Sequence, residues 1–426
     1  MPFNDKINNY SSKNLPFKSL TTFIIPFSVE QNYDDVYFES IGFSKYDYCN
    51  KVKSVKDNIT SHLNKPYKNN ASLLSVYEKN INSKMIFNID TEIYKLKNDD
   101  KTLLESIEFV VDNLRVYYYC DHICFACITV RYSANRTIDE IMLVNHCAKY
   151  NEHYIDTFSD SIKSVSGLIK SKIPKSQKKC ESFLNRLLKN QFDSEITIIS
   201  KEAYVFNVTY CNENEFDDAN LFNLASGNNP NFKYSDDVRF IKEKHGEFAM
   251  QGIVKNGIAR IVIENDNDNN YYYNPDNPNG MINSVLNNYI FVCILVLRQY
   301  YGFNNLNSLI LEKVNKTYNE GNGTHYKEFL AHKKDGELFY VENVFVEVSH
   351  LMYLEDTYQK MREILNINAI IDDFYRDSKL CDAIIEDYTV SAKMKKISKS
   401  AIAVLSASIV TIVTSILQVV LAIIFR

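Results

Sequence analysis

The stretch that decides the organisation of this chain is Ala401–Phe425, AIAVLSASIVTIVTSILQVVLAIIF, which Arg426 follows. It contains no charged residue, no Gly and no Pro, and most of its residues are Ile, Val, Leu and Ala. A bilayer core about 30 Å thick is crossed by about 20 residues of helix, and a single segment satisfies its backbone polar groups in lipid only as a helix. The stretch therefore predicts one transmembrane helix over residues 401–426.

A basic flank precedes the apolar segment. Only Arg426 follows it, whereas four lysines lie just before it: Lys393, Lys395, Lys396 and Lys399. In membrane proteins an excess of Lys and Arg marks the cytoplasmic side. The flank therefore predicts a single-pass protein of a cell inner membrane, with its large N-terminal part in the cytosol.

Polar residues inside the segment are regularly spaced. Ser408, Thr411, Ser415 and Gln418 are separated by steps of three and four, which places them on one face of a helix. Small and hydroxyl side chains on one face favour close helix packing or line a wet channel, so the face is predicted to be a pore lining or a helix interface. In the alternative interpretation, Ser and Thr donate to carbonyls of their own helix and face any surroundings. The amide of Gln418 is the most informative member, because in lipid it needs a partner.

Length and composition bound the class of protein. A chain of 426 residues allows about two or three units beside the membrane segment. The net charge of −5 offers no basic surface for nucleic acid, so no nucleic-acid partner is expected. The nine cysteines have no regular spacing, as expected for reduced cytosolic thiols. The first residues lack a continuous apolar run, which predicts no signal peptide.

The fold class predicted for the chain is α+β, with a cytosolic α/β sandwich domain over residues 1–280. Ile107–Tyr154 contains two strand-like runs followed by a helical pattern, an order typical of α/β layers. Phe248–Glu264 contains the strongest hairpin signal of the chain, at Asn256–Gly257. These patterns indicate a sheet covered by helices.

Three other regions of this body have weaker patterns. Thr21–Phe27 indicates a short strand interrupted by Pro26, and Glu195–Val208 also indicates strand. Residues from about 45 to 80 are polar and mostly helical in pattern.

Residues 281–400 are predicted to form a helical hairpin and a stalk that leads into the membrane segment. Ser284–Tyr301 is apolar over a helical length, but Asn, Arg and Gln interrupt it, so a buried helix is favoured over a second membrane span. From Ile364 onward, apolar residues recur as on a helical seam, with a hinge expected near Asn366 and Asn368.

The sequence contains no enzyme motif. It has no Gly-rich phosphate loop, no HExxH and no Gly-x-Ser-x-Gly, so no enzymatic activity is predicted. Cys120, His122 and Cys124 alternate as on one strand face, but a zinc site needs four ligands at recognisable spacing, so half-buried strand residues are the favoured interpretation. No cofactor is therefore expected, a divalent cation is left open, and no residue is assigned to a metal or ligand.

A resemblance to a known family follows from the order of these parts and from four segments. They are RTIDEIMLVNH at Arg136–His146, YSDDVRF at Tyr234–Phe240, YIFVCILVLRQYY at Tyr289–Tyr301 and YVENVFVEVSHLMYLEDTYQKMREIL at Tyr340–Leu365. Together they resemble the CorA family of divalent-cation channels, and in particular a divergent branch of CorA-like bacterial membrane proteins. The resemblance implies a homopentamer with a cytosolic α/β funnel and a pore lined by the first span of each subunit.

The sequence departs from that family at its membrane part. CorA channels end their first span with Gly-Met-Asn and add a second span, and neither follows the segment at 401–426. The entrance that selects hydrated Mg²⁺ in the family is therefore not expected here. No cation-sensing residue is carried over.

Three functions are compatible with the sequence. The first is an oligomeric membrane protein whose cytosolic sensor domain controls a transmembrane pore, for ion conduction (including metal-ion transport) or for membrane permeabilisation. The second is a toxic membrane effector of bacterial antiviral defence, gated by a small signalling ligand. The third is a tail-anchored scaffold that does not conduct.

Overall fold

The structure is a computed structural model, and it describes a defined set of residues. They are 17–30, 33–66, 72–88, 106–121, 123–149, 158–160, 183–192, 195–212, 215–230, 232–233, 238–245, 249–263, 277, 280–320 and 324–424. Contacts divide the chain into two compact units, the first formed by Met1–Tyr301 with Phe345–Ile367 and the second by Gly302–Val344 with Asn368–Arg426. This division differs from the boundaries at 280 and 400, which stay predictions about domains.

The described strands and helices alternate irregularly along the chain. The strands are β1 Ser19–Val29, β2 Ser44–Lys45, β3 Leu74–Asn88, β4 Ser106–Tyr119, β5 Ile123–Tyr132, β6 Phe158–Asp160, β7 Ile196–Ile198, β8 Tyr204–Cys211, β9 Ile241–His245, β10 Ala249–Val254 and β11 Gly257–Ile263. The helices are α1 Asp35–Ser40, α2 Tyr48–Lys51, α3 Asp57–Asn64, α4 Ile138–Lys149, α5 Phe183–Lys189, α6 Asp218–Ser226, α7 Met281–Ser284, α8 Ile290–Glu320, α9 Thr324–Asn343, α10 Met352–Ile364 and α11 Ile367–Ile424, with a π-helical turn Val285–Tyr289 before α8.

The first unit is built on a mixed sheet to which eleven described strands belong. Its main path has the order β2-β3-β4-β5-β1-β8-β11-β10-β9, with β6 paired to β3 and β7 to β1. All of these pairs are antiparallel except β8 with β11, which is parallel. The coarse prediction of a mixed α/β fold is thus confirmed, and the strand–strand–helix order of the region after 107 is seen in β4, β5 and α4.

Strand β1 is longer than its sequence pattern indicated. It continues through Pro26, which the pattern had suggested as an interruption. On one side β1 pairs with β8 up to Ile24 and with β7 from Phe27, so Pro26 lies where one partner strand gives way to the next. Such an irregular position tolerates a residue that has no backbone N–H.

The helical prediction for residues 45–80 is wrong over its last part. Leu74–Asn88 is a 15-residue strand, and it pairs with β4 along nearly its whole length. Buried residues such as Leu74 and Val76 alternate along it with less buried ones such as Ser75. Pairing with an apolar neighbour strand therefore overrides a weak local preference.

Helices cover both faces of the sheet. On one face, alternate residues of β1 such as Phe23, Ile25 and Phe27 share a core with α4, α5 and α6. On the other face, the start of α8 packs on the strands: the ring of Phe291 lies 6.2 Å from that of Tyr117. The period of two in each strand allows both faces to be apolar at once.

The beginning of α8 is a core helix of the first unit. Every residue from Ile290 to Leu297 is at most 2 % exposed. The polar residues that interrupt the apolar run have specific partners: Asn288 Oδ1 accepts from the Ser54 N–H (3.0 Å), and Gln299 Nε2 donates to the Tyr358 hydroxyl (3.0 Å). These contacts confirm the burial predicted for this segment.

The second unit is helical in its described part. From Gly302 onward, α8 forms a hairpin with α9, and both helices contact α11 through aromatic rings. The ring centroid of Phe303 lies 5.1 Å from that of Phe339 in α9 and 5.8 Å from that of Phe374 in α11. Glycines permit this close packing, since a Cβ at Gly302 would lie 2.1 Å from the ring of Phe339 and one at Gly336 would lie 2.2 Å from the ring of Phe374.

A sharp junction separates α10 from α11. Asn366 has a positive φ of 56°, a conformation that Asn adopts more readily than most residues. The break lies where the sequence predicted a hinge. Beyond it α11 continues for 58 residues, which corresponds to a length of about 87 Å at 1.5 Å per residue.

Candidate functional site

The last part of α11 is the most exposed apolar surface of the described chain. Two helices are long and apolar enough to cross a membrane: 78 % of the apolar window of Met281–Glu312 is buried, whereas none of Ile397–Gln418 is buried (0 %). Ile402 and Val404, for example, are 64 % and 66 % exposed. A continuous apolar surface of this kind marks a site of contact with a membrane or with protein.

The predicted polar face lies within this exposed helix. Ser408, Thr411, Ser415 and Gln418 are all exposed. The three hydroxyls each donate to a carbonyl four residues earlier, at 2.8 Å. Their donors are thus satisfied inside the helix, as the alternative interpretation expects, while their oxygens and the Gln418 amide face outward. The assignment of this face to a pore or an interface stays a prediction.

The basic flank also belongs to α11. The backbone is helical at all four lysines, Lys393, Lys395, Lys396 and Lys399, and Lys399 is exposed. The side chains of the other three, and Arg426, lie outside the described part. A helical backbone without a break connects the flank to the apolar segment, so both form one continuous element.

A row of polar side chains crosses three strands of the first unit. Glu243 of β9 faces Gln251 of β10, and Gln251 faces Arg260 of β11. Arg260 is only 2 % exposed, and its guanidinium lies 4.2 Å from the centre of the Tyr289 ring. It donates from Nη2 to Gln251 Oε1. The amide therefore supports a buried cation from the neighbouring strand.

The same row contacts α10, the helix before the junction. Gln251 Nε2 donates to Thr357 Oγ1 at 3.0 Å, and Lys360 forms an ion pair with Glu243. Thr357 is fully buried (0 % exposed). The amide of Gln251 thus joins the guanidinium of the sheet to a hydroxyl of α10.

His245 completes this group. Burial, and secondarily the charge of Arg260, lowers the pKa of His245 to about 3. The ring is therefore neutral near pH 7, and its Nδ1 lies 3.4 Å from Arg260 Nη2, which can only donate. No residue of this row was predicted as part of a site from the sequence, in which the one signal is an Arg inside the apolar strand GIARIVI.

A second buried cation lies at the end of α4. The side chain of Lys149 has no exposed surface (0 %), and its Nζ donates to Ser226 O at 2.6 Å and pairs with Glu202 Oε2 at 3.2 Å. Burial lowers the pKa of Lys149, although Glu202 opposes the shift. Asn256 Nδ2 also donates to this carboxylate, at 3.3 Å. Glu202 thus has its charge balanced by the protein.

The described residues contain no group of three or more His, Cys, Asp and Glu side chains arranged to hold a metal ion. The alternation proposed for the Cys/His run is wrong for Cys120, because β4 ends at Tyr119 and Cys120 lies in the turn before β5. His122 lies outside the described residues. Cys124 is buried, and burial raises the pKa of its thiol to about 12, so the free thiol is protonated at neutral pH.

Comparison with protein-family models, with curated proteins and with solved structures gives no match for this chain.

Proposed function

We propose that this protein is an oligomeric, single-pass membrane protein whose α/β body controls a pore formed by clustered α11 helices. The observation that carries the proposal is the segment Ile397–Gln418, an apolar stretch of a continuous 58-residue helix in which no residue is buried inside the protein (0 %). A surface-exposed helix in water keeps a polar face, and this segment has no such charged face. A lipid bilayer, and other copies of the helix, supply the missing apolar surroundings.

The apolar side chains of the segment favour a bilayer, and its polar side chains favour an oligomer. Each fully buried Val, Leu or Ile side chain contributes about 1.5–3 kcal/mol, and lipid tails provide that burial all around the helix. Lipid does not satisfy an amide or a hydroxyl oxygen, however, so Gln418 and the three hydroxyls favour contact with neighbouring copies. The resemblance to CorA channels suggests five copies.

The flank and the polar face together suggest how such a pore would behave. The lysines before the segment favour a cytosolic body in an inner membrane. A ring of Lys395, Lys396 and Lys399 at the inner mouth repels cations, which argues against a path dedicated to Mg²⁺. The proposed pore is therefore anion-permissive or unselective, and it has no assigned cation site.

The test is Gln418→Leu, with Ser406→Ala as a matched control. Ser406 lies on the opposite side of the helix from Ser408, and its hydroxyl donates within the helix at 2.8 Å. An interhelical hydrogen bond in a membrane is worth about 0.6–1.7 kcal/mol, so Gln418→Leu is expected to weaken association about 3- to 18-fold. Cross-linking of the full chain in liposomes and flux of an entrapped anionic dye measure the two effects.

The outcomes separate the candidate functions. Ser406→Ala should leave both readouts unchanged, and Gln418→Leu should lower the oligomer fraction and alter the flux. Equal oligomer fraction and equal flux in both variants would contradict the role of the polar face. Cross-linking that yields only monomers or dimers, with no flux from any variant, would favour the tail-anchored scaffold that does not conduct.

A second candidate is a signal-gated toxic membrane effector of bacterial antiviral defence. It is favoured by a cleft in the first unit that includes Lys201, Lys255 and Tyr301, because such an effector needs a ligand site in its body. Growth arrest that depends on the ligand as well as on expression would distinguish this effector from a constitutive ion pathway.

A further inference from the structure

An open cleft of about 450 Å³ lies at one end of the first unit. Its size is within the range of about 300–1,000 Å³ that is usual for small-molecule sites. Three parts of the chain form its walls. They are the loop from Ser200 to Ala203 with Tyr204 at the start of β8, the two-residue turn between β10 and β11, which includes Lys255, and α8 near Tyr301; Leu365 also lines the cleft.

A backbone hydrogen bond joins the start of β8 to the turn, since the Val205 N–H donates to Asn256 O at 3.1 Å. Gly257 allows this approach, because a Cβ there would lie 2.2 Å from Ala225 O and 2.4 Å from Val205 O. Asn256 Nδ2 also donates to Glu202 Oε2 at 3.3 Å, which links the turn to the loop residue next to Lys201. The side chains of Lys201 and Lys255 are both exposed.

The charge of the lining is positive. Among the lining residues, Lys201 and Lys255 are cations and Glu202 is the acid. The carboxylate of Glu202 is already paired with the buried Lys149 at 3.2 Å and bonded by Asn256 at 3.3 Å. Two cations thus remain for an outside partner, and lysine ammonium groups bind phosphate as point charges.

The inner wall is aromatic. The rings of Tyr300 and Tyr301 are half-buried and lie 5.1 Å apart at 89°. Leu297 and Leu365 are 1 % and 5 % exposed, so they close the cleft and offer a ligand little surface of their own. A flat ring with polar edges suits this wall.

We propose that this cleft binds a small organic phosphate with a planar ring, of the size of a nucleoside monophosphate. Lys201 and Lys255 contact the phosphate, while the half-buried rings of Tyr300 and Tyr301 pack against the planar ring. Binding itself does not depend on the proposed membrane function.

The lining also suggests what the ligand would regulate, and this part rests on the proposed function. Tyr301 is the last residue of the first unit before Gly302, and Leu365 lies two residues before Ile367, where α11 begins and the first unit ends. Two of the three points at which the chain crosses between the units thus lie at or within two residues of the cleft lining. A ligand that prefers one arrangement of these junctions shifts the population of the helices that follow.

Binding is tested by calorimetry on the full chain in detergent, with adenosine monophosphate, adenosine and inorganic phosphate as probes. The variants are Lys201→Ala with Lys255→Ala, and Lys53→Ala is the matched control, an exposed lysine of the same unit. Adenosine monophosphate should bind more tightly than adenosine or inorganic phosphate alone. An exposed charge pair is worth up to about 1 kcal/mol, so each lysine should contribute up to about fivefold, and salt should weaken the binding.

Three results would overturn the proposal. The first is that adenosine monophosphate at millimolar concentration gives no heat of binding, and the second is that it binds with unchanged affinity when both lysines are replaced. The third is that Lys53→Ala lowers the affinity as much as the Lys201→Ala and Lys255→Ala variants do. Circular dichroism checks that the variants remain folded. Flux in liposomes with and without the ligand is measured separately, so that a pore that fails to respond is distinguished from a cleft that fails to bind.

Discussion

The buried row that joins the sheet to α10 yields the sharpest prediction, for the variant Gln251→Leu. The wild-type amide accepts from Arg260 Nη2 and donates to Thr357 Oγ1 at 3.0 Å, and it is fully buried (0 % exposed). Leucine keeps the approximate size of the side chain but removes both hydrogen bonds. Arg260 then retains His245 Nδ1, at 3.4 Å, as a hydrogen-bond acceptor for its Nη2.

The expected loss follows from these contacts. A hydrogen bond to a charged group contributes about 1.5–3 kcal/mol and a neutral one about 1 kcal/mol, so Gln251→Leu should cost about 3 kcal/mol. Thr357→Val removes two neutral bonds, the one from Gln251 and the bond of Thr357 to Tyr353 O at 2.8 Å in its own helix. At about 1 kcal/mol for each neutral bond, it should cost about 2 kcal/mol.

Thermal unfolding measured by near-ultraviolet circular dichroism is the assay, since the chain has 30 Tyr and no Trp. At about 2 °C per kcal/mol for a unit of this size, Gln251→Leu should lower Tm by about 6 °C and Thr357→Val by about 4 °C. Because the two residues share a bond, the double variant should lose less than the sum. A Gln251→Leu shift no larger than that of Thr357→Val would refute the reasoning that the amide supports the guanidinium.

Two further predictions concern the same unit. In the folded protein the pKa of His245 is lowered to about 3 from 6.5, so the unfolded chain binds a proton more readily at this residue. The stabilising effect of the neutral ring is therefore present above pH 6.5 and is lost as the pH falls toward 3. His245→Phe should reduce the loss of stability between pH 7 and pH 5 by about 2 kcal/mol, measured as Tm against pH, and an unchanged slope would contradict the burial of a neutral ring. Gly257→Ala should cost about 3 kcal/mol, since its Cβ would meet two carbonyl oxygens at 2.2 Å and 2.4 Å; a variant with wild-type Tm would show that the turn can shift.

Local patterns predicted several elements because their signals are short-range. The hairpin at Asn256–Gly257, the helix after Ile138 and the break near Asn366 each depend on neighbouring residues. The strand Leu74–Asn88 was not predicted, because its extended conformation depends on pairing with β4 and not on its own composition.

Buried charges were the least visible feature. Arg260 and Lys149 are almost fully buried, yet a sequence read alone treats Arg and Lys as surface residues. Their partners Gln251, Ser226 and Glu202 come from other elements, so only the assembled sheet and helices bring them together.

The sequence by itself determined that the chain has a long uncharged helix with a basic flank, because hydropathy and helical spacing are properties of consecutive residues. The tertiary structure decided which of two apolar helices is enclosed: Ile290–Leu297 is buried on the sheet, whereas Ile397–Gln418 has no such cover. It also decided where the cleft lies, because Lys201, Lys255 and Tyr301 are distant in sequence. Burial and juxtaposition depend on long-range pairing of strands, and that pairing is a property of the folded chain as a whole.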